Sequence, residues 1–342
     1  MRTFFTDRHL KRDARTELSG GQLIAPHECP ARATMIRDRL IETGCGDIVE
    51  PQAFGLTPIL RVHDENYVHF LETAWDEWKA SGALGEAIPI IWPARRMSDK
   101  IPRSITGRLG YYALAAETSI SEGTWEAARG AADVALSAAS HVANGGGAAF
   151  ALCRPPGHHA ARDLFGGYCF LNNAALATQS LRDQGAARCA ILDVDFHHGN
   201  GTQDIFYQRG DVFFASIHGD PYEAFPYFLG HADEVGVGPG EGANANFPLA
   251  RGADWAIWET ALIAALEKIQ KFGAEALVVS LGVDAFEGDP ISFFKLRSAD
   301  FLRMGEAIGR LGLPTVFVME GGYAVAEIGV NAVNVLTGFE NA

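Results

Sequence analysis

Residues 193–197 read Asp-Val-Asp-Phe-His and follow directly on the apolar run Cys189 to Leu192. In an extended strand alternate residues share a face, so Asp193, Asp195 and His197 can offer two carboxylates and an imidazole to one cation. A strand running into a solvated turn could carry the same residues, so the run does not decide by itself. Three further apolar runs end in residues of similar chemical reach. Phe150 to Leu152 leads into Arg154-Pro155-Pro156-Gly157-His158-His159, Ala276 to Leu281 into Gly282-Val283-Asp284, and Thr315 to Met319 into Glu320-Gly321-Gly322-Tyr323. In open α/β folds ligands bind beyond the carboxyl ends of parallel strands, so four such endings converge on one crevice.

Asp195, His197 and Asp284 are candidate ligands of one divalent metal. Three protein ligands and an open position make the catalytic zinc arrangement, although an oxygen-rich set also suits Fe(II), Co(II) or Mn(II). Asp193 then stands behind the ligands and orients a histidine. Pro155-Pro156-Gly157 is a rigid, then permissive turn that can project His158 and His159 into the pocket. One imidazole can take a proton from water while the other supplies positive charge. Tyr323, after two glycines, can donate to an oxyanion forming on a carbonyl. Together these parts describe metal-assisted hydrolysis of an amide. His198, on the alternate face, reads as structural.

The elements that must position these residues follow from periodicity. Helical spacing is present at Ala31 to Thr43, Glu65 to Lys79, Gly107 to Ile120, Trp125 to Val142, Asn172 to Asp183, Trp255 to Phe272, Ala299 to Gly309 and Val325 to Leu336. Between them lie the apolar runs above and Val212 to Ile217. Alternating strand and helix predict an α/β fold, an open, mainly parallel multistranded sheet sandwiched by helices, with the active site at the C-terminal strand ends. No linker divides residues 1–342, which read as a single domain. Ser81 to Pro102 breaks the pattern with Gly82, Gly85, Pro89, Pro93 and Pro102, and its Trp92 and Arg95-Arg96 suit an interface. The glycine-rich stretch Gly236 to Gly242 lacks the context of a phosphate loop and reads as a shaped loop near the active site.

A content of 48% hydrophobic and 20% charged residues supports a large core and argues against disorder. The formal charge of −14 disfavours nucleic acid as a partner and attracts cations. No apolar run reaches the length of a membrane span and Met1 to Leu10 lacks a signal pattern, so the expected location is the cytoplasm, with no membrane partner. Cys29, Cys45, Cys153, Cys169 and Cys189 are scattered and form no C-x-x-C pair, as free thiols in a reducing compartment would be.

These motifs resemble the histone deacetylase superfamily of zinc-dependent deacetylases (arginase/deacetylase fold), in particular its acetylpolyamine amidohydrolase branch. The resemblance is carried by Arg154 to His159, Gly166 to Asn173, Asp193 to Thr202, Ser280 to Asp284 and Glu320 to Tyr323. It implies Asp195, His197 and Asp284 as zinc ligands, His158 and His159 as tandem catalytic histidines, and Tyr323 as the carbonyl-polarising tyrosine. Asp193 would pair with His158 and Asn200 with His159, and the neutral Asn200 suits His159 as the general base. Gly167, Tyr168 and Phe225 match the substrate tunnel. Asp193 and Ser216 match side-chain ligands of a structural potassium. Glu17 matches an acidic residue that meets the distal ammonium of a substrate. The 81–102 segment matches an inserted loop that mediates a homodimer and narrows the entrance.

The activity so implied is removal of acetyl groups from acetylputrescine, acetylcadaverine or acetylspermidine, that is, from small cationic amides. A protein lysine deacetylase is the alternative, since only Glu17 and the loop separate the two. A non-catalytic acetyl-amine binding protein would have no use for both histidines and Tyr323. Arginase-like dimanganese enzymes need further carboxylates, and Gly282 stands where one would be required.

Overall fold

The computed structural model describes residues 1–342. Its first part comprises β1 (Arg2–Phe4), the hairpin β2 (Glu17–Ser19) and β3 (Gln22–Ile24), α1 (Ala31–Thr43), β4 (Ile48–Val49), α2 (Thr57–Leu60), α3 (Glu65–Ala80), α4 (Ile105–Tyr111) and α5 (Thr124–Ala143). Strands and helices then alternate. They are β5 (Ala148–Ala151), α6 (Asn173–Asp183), β6 (Cys189–Asp193), α7 (Asn200–Phe206), β7 (Val212–Gly219), β8 (Asn244–Leu249), α8 (Trp255–Phe272), β9 (Ala276–Leu281), α9 (Ser298–Gly309), β10 (Thr315–Met319) and α10 (Ile328–Glu340).

Eight strands form one sheet in the order β4-β1-β5-β10-β9-β6-β7-β8, and every pairing in it is parallel. Parallel neighbours require crossovers, so helices cover both faces and the central strands are apolar on both sides. Strand β9 shows the division. Ala276 and Val278 enter one core with Leu136 of α5 and Leu176 of α6, whereas Leu277, Val279 and Leu281 enter the other with Leu262, Phe301 and Leu336 of α8, α9 and α10. Each such buried side chain contributes roughly 1.5–3 kcal/mol, and a one-residue slip would exchange the two faces, which pins the register.

Side-chain caps set the starts of α3, α6 and α8. The Asp64 carboxylate accepts from the Asn66 and Tyr67 N–H groups ahead of α3, Asn172 accepts from Ala175 N–H ahead of α6, and Asp254 accepts from Ile257 N–H ahead of α8. Local periodicity misleads at Gly107 to Ile120. There α4 stops at Tyr111, because Ala113 pairs with Phe165 and Ile120 with Ala87, and those tertiary pairings override helical preference. The last helix is also displaced from Val325–Leu336 to Ile328–Glu340.

Residues 81–102 contain neither helix nor strand, yet they are tied down. The Glu86 carboxylate accepts from the Arg15 and Thr16 N–H groups, just before β2. The Ile91 carbonyl lies so close to Gly110 that a Cβ there would be 1.5 Å from it. Trp92 packs against the chain's own core, whereas Leu84, Ile90 and Met97 are exposed. No helix is long and apolar enough to cross a membrane.

Candidate active site

The carboxyl ends of β5, β6, β9 and β10 meet at one place, but the candidate metal ligands are not gathered by strand alternation. β6 stops at Asp193, and two consecutive Asx turns carry the chain onward. Asp195 N–H donates to Asp193 Oδ1 at 3.1 Å and His197 N–H to Asp195 Oδ1 at 2.9 Å. After β9, Asp284 Oδ1 accepts from Phe196 N–H at 2.7 Å, which brings Oδ2 to 3.1 Å from His197 Nδ1. The same nitrogen lies 3.3 Å from Asp195 Oδ1. Asp195, His197 and Asp284 are thus one cluster of potential metal ligands.

The cluster fits a cation on two grounds. Burial and the neighbouring Asp195 push the Asp284 carboxyl up to about 7, while the two carboxylates outweigh burial at His197 and hold it at about 9. This donor set calls for positive charge between its members, and a metal ion meets that need once the imidazole loses its proton. Room is also reserved. A Cβ at Gly282 would stand 2.1 Å from Asp195 Oδ2, and one at Gly321 would stand 2.5 Å from Oδ2 of both Asp195 and Asp284. Gly321 N–H donates to Asp195 Oδ2 at 2.8 Å.

The tandem histidines lie beside the cluster with ring centroids 4.1 Å apart. Their backbone is held by Glu320, whose Oε2 accepts from Gly157 N–H at 2.6 Å and His158 N–H at 3.1 Å. His158 Nδ1 is 3.0 Å from Asp193 Oδ2, and His159 Nδ1 is 2.6 Å from Asn200 Oδ1. Burial opposes charge on His158, but Asp195 and Asp193 outweigh it and raise its pKa to about 10. His159 moves the other way, because burial and the positive neighbours His158 and His197 push it well below the usual imidazole value. The surroundings thus favour the charged form of His158 and the neutral form of His159.

Tyr323 is placed by residues that sequence reasoning did not assign. Its backbone N–H donates to Asp289 Oδ2 at 2.7 Å, and its ring lies 4.7 Å from the Arg32 guanidinium carbon. Arg32 donates to the carbonyls of Glu320 and Gly322 at 2.5 and 2.6 Å and to Glu28 at 3.2 Å. Glu28 also takes both prongs of Arg154 at 2.7 and 3.1 Å. These buried charges are paired and hydrogen-bonded, so they clamp the β5 and β10 endings together. No periodicity marks Glu28, Arg32 or Asp289, and Asp289 lies far from the other two in the chain.

Above the cluster opens a cavity of about 540 Å³ lined in part by Glu17, Glu117, His159, Gly167, Tyr168, His197, Phe225 and Tyr323. Phe225 meets the His159 ring edge-on at 5.0 Å. Gly167 has φ 56°, and a Cβ there would come within 2.1 Å of His159 Cδ2, so only glycine lets this wall approach the imidazole. Glu117 accepts from Gly167 N–H at 2.7 Å, and Thr118 Oγ1 accepts from Tyr168 N–H at 2.8 Å. Glu17, on β2, is only 5% exposed; it accepts from His27 N–H at 3.2 Å and lies against the Tyr168 hydroxyl. Ser216 is in register with Asp193 on the adjoining strand, with its hydroxyl 2.8 Å from His218 Nδ1. His198 is buried and bonded to Gln203. The Gly236–Gly242 stretch packs on residues 207–210 and does not line the cavity, contrary to its sequence reading.

The arrangement is that of a buried cluster of candidate metal ligands flanked by two differently held imidazoles and a phenol, beneath a cavity. Comparison with known proteins agrees with it. The chain is 59% identical to the acetylpolyamine amidohydrolase of Mycoplana ramosa over 338 residues and 58% identical to acetylpolyamine amidohydrolase 2 of Pseudomonas aeruginosa over 340, covering 99% of each chain in both pairs. The crystal structure of acetylpolyamine aminohydrolase from Burkholderia pseudomallei superposes with a TM-score of 0.95 at 41% identity, covering 99% of this chain and 98% of that one. Residues 26–339 match the profile of the histone deacetylase domain. With that match spanning all four strand endings, the chain belongs to the histone deacetylase family of metal-dependent amide hydrolases.

Proposed function

We propose that this protein removes the acetyl group from acetylated polyamines and short diamines, releasing acetate and the free amine. The observation that carries the reading is the convergence of Asp195, His197 and Asp284 with His158, His159 and Tyr323 at the foot of one cavity. The names of the most similar relatives support the substrate class.

Asp195, His197 and Asp284 would hold zinc, which supplies Lewis-acid activation of the amide carbonyl and of water when bound. The remaining work falls to the chain's own groups. Asn200 Nδ2 donates to the His159 carbonyl at 3.3 Å, which turns Asn200 Oδ1 toward His159 Nδ1. Nδ1 therefore carries the hydrogen, and Nε2 is free to take a proton from the attacking water. His158, cationic beside Asp193, stabilises the developing oxyanion electrostatically, and the Tyr323 hydroxyl donates to the same oxygen. A protonated histidine then delivers a proton to the departing amine nitrogen. Gly167, Tyr168 and Phe225 flank the aliphatic chain, and Glu17 faces the far cationic end.

Asp193 and Ser216 would contribute to a structural potassium site, supported by their register pairing and by the unpartnered, buried Ser280 hydroxyl on the other neighbouring strand. The exposed apolar side chains Leu84, Ile90 and Met97 support homodimerisation through residues 81–102, and the five unpaired cysteines support a cytoplasmic setting. Acetate release from acetylputrescine, measured on metal-stripped protein before and after zinc addition, tests the reading. Zinc-dependent release is expected, and none from the reconstituted protein overturns it.

A further inference from the structure

Two chemically different groups of side chains line the cavity. In one, Glu17 and Glu117 are both attached to the turn that carries Tyr168. In the other are Glu223, which follows β7, and Arg251, which follows β8, the last two strands at one sheet edge. Arg251 Nε donates to Glu223 Oε2 at 3.2 Å, and its guanidinium carbon lies 4.4 Å from the Phe293 ring centre. A cavity that receives only cationic tails gains nothing from a guanidinium, since like charges repel. Stacking on Phe293 instead holds the planar fork in place with both terminal nitrogens free of protein partners. The ion pair is 64% exposed on Arg251 and 53% on Glu223, so it is weak and another carboxylate can displace Glu223 at small cost.

We propose that this cavity also reads a zwitterion. Arg251 binds the α-carboxylate of ω-N-acetylated α-amino acids, while Glu223, Glu117 and Glu17 attract the α-ammonium. The inference rests on the deacetylase reading above and extends its substrates from cationic amines to free amino acids. The chemistry is the same hydrolysis. The acetamide C–N bond breaks, water supplies the new acetate oxygen, and the ω-nitrogen leaves as an ammonium, giving acetate and the free diamino acid.

Free Nε-acetyl-lysine and acetylcadaverine share one five-carbon chain and differ by the α-carboxylate, which makes them a matched pair. The experiment measures kcat/KM for both on the full-length, zinc-loaded protein and on its Arg251→Gln and Arg251→Lys variants. Because each preparation is assayed on both amides, the ratio of the two values is insensitive to the fraction of active protein. Turnover of both by the wild type is expected, with the acetyl-lysine to acetylcadaverine ratio falling about tenfold in Arg251→Gln and partly restored in Arg251→Lys. An unchanged ratio in Arg251→Gln overturns the proposal, as does wild-type turnover of acetylcadaverine with none of acetyl-lysine. Turnover of neither amide overturns the small-amine reading itself.

Discussion

His159 Nδ1 sits 2.6 Å from the amide oxygen of Asn200, whereas its neighbour His158 faces the carboxylate of Asp193 at 3.0 Å. Adjacent residues on one turn thus differ in what backs them: the Asp193 carboxylate favours the charged form of His158, while His159, with no carboxylate behind it, is kept low by burial and by the positive neighbours His158 and His197. Replacing Asn200 with aspartate would put a carboxylate behind both rings and favour the imidazolium form of His159. The acidic limb of the kcat/KM profile is expected to move to higher pH in Asn200→Asp, with activity at low pH falling first. An unmoved limb would mean that His159 is not the group whose deprotonation governs turnover.

Asp289 should matter as much for Tyr323 as any group touching the phenol, because it holds the Tyr323 backbone at 2.7 Å. Asp289→Ala strands the Tyr323 and Ala324 N–H groups, at a cost of about 1–3 kcal/mol for each left unpaired. The expected result is lower kcat with metal content retained. Tyr323→Phe is expected to lose about a hundredfold to a thousandfold in kcat, the usual cost of one oxyanion donor. Near-wild-type kinetics in Tyr323→Phe would remove the phenol from the mechanism.

Two glycines should fail in different ways. Gly167→Ala drives a methyl into the His159 ring, so kcat/KM is expected to fall at least about tenfold with the metal still bound. Gly321→Ala intrudes on Asp195 and Asp284, so the bound metal itself should be lost. Metal analysis of the two purified variants separates these outcomes, and equal metal content in both would contradict the assignment of the cradle.

Acid should destabilise the fold through His63, which is buried with Nδ1 3.0 Å from the Ala161 carbonyl and Nε2 accepting from Asn172 N–H at 2.9 Å. Burial lowers its pKa to about 4, so between the unfolded value of 6.5 and that value the unfolded chain binds more protons. Stability therefore falls as pH drops through this window, by at most about 3 kcal/mol from this residue. Urea unfolding at pH 7 and pH 4.5 checks this, and a His63→Asn variant should show a smaller difference than the wild type.

How much of this was readable from the chain differs by residue. β6, β9 and β10 are apolar on both faces and end at or run straight into Asp193, Gly282 and Glu320, so the strand endings and their convergence announce themselves. β1 and the edge strand β4 are too short to leave a pattern, and α4 ends where distant partners claim its backbone. Asp195 and His197 are expected on a continued strand, whereas consecutive Asx turns present them. Glu28, Arg32, Glu117 and Asp289 are single charged residues with no periodic context, and only the folded chain shows what each one holds.

Deacetylation of small acetylated amines is read most directly from kcat/KM of the zinc-loaded protein on acetylputrescine, acetylcadaverine and acetylspermidine beside an acetyl-lysine peptide, with metal content assayed in the same preparation. Clear preference for the small cationic amides is expected. Preference for the peptide would contradict that reading and make the protein a lysine deacetylase.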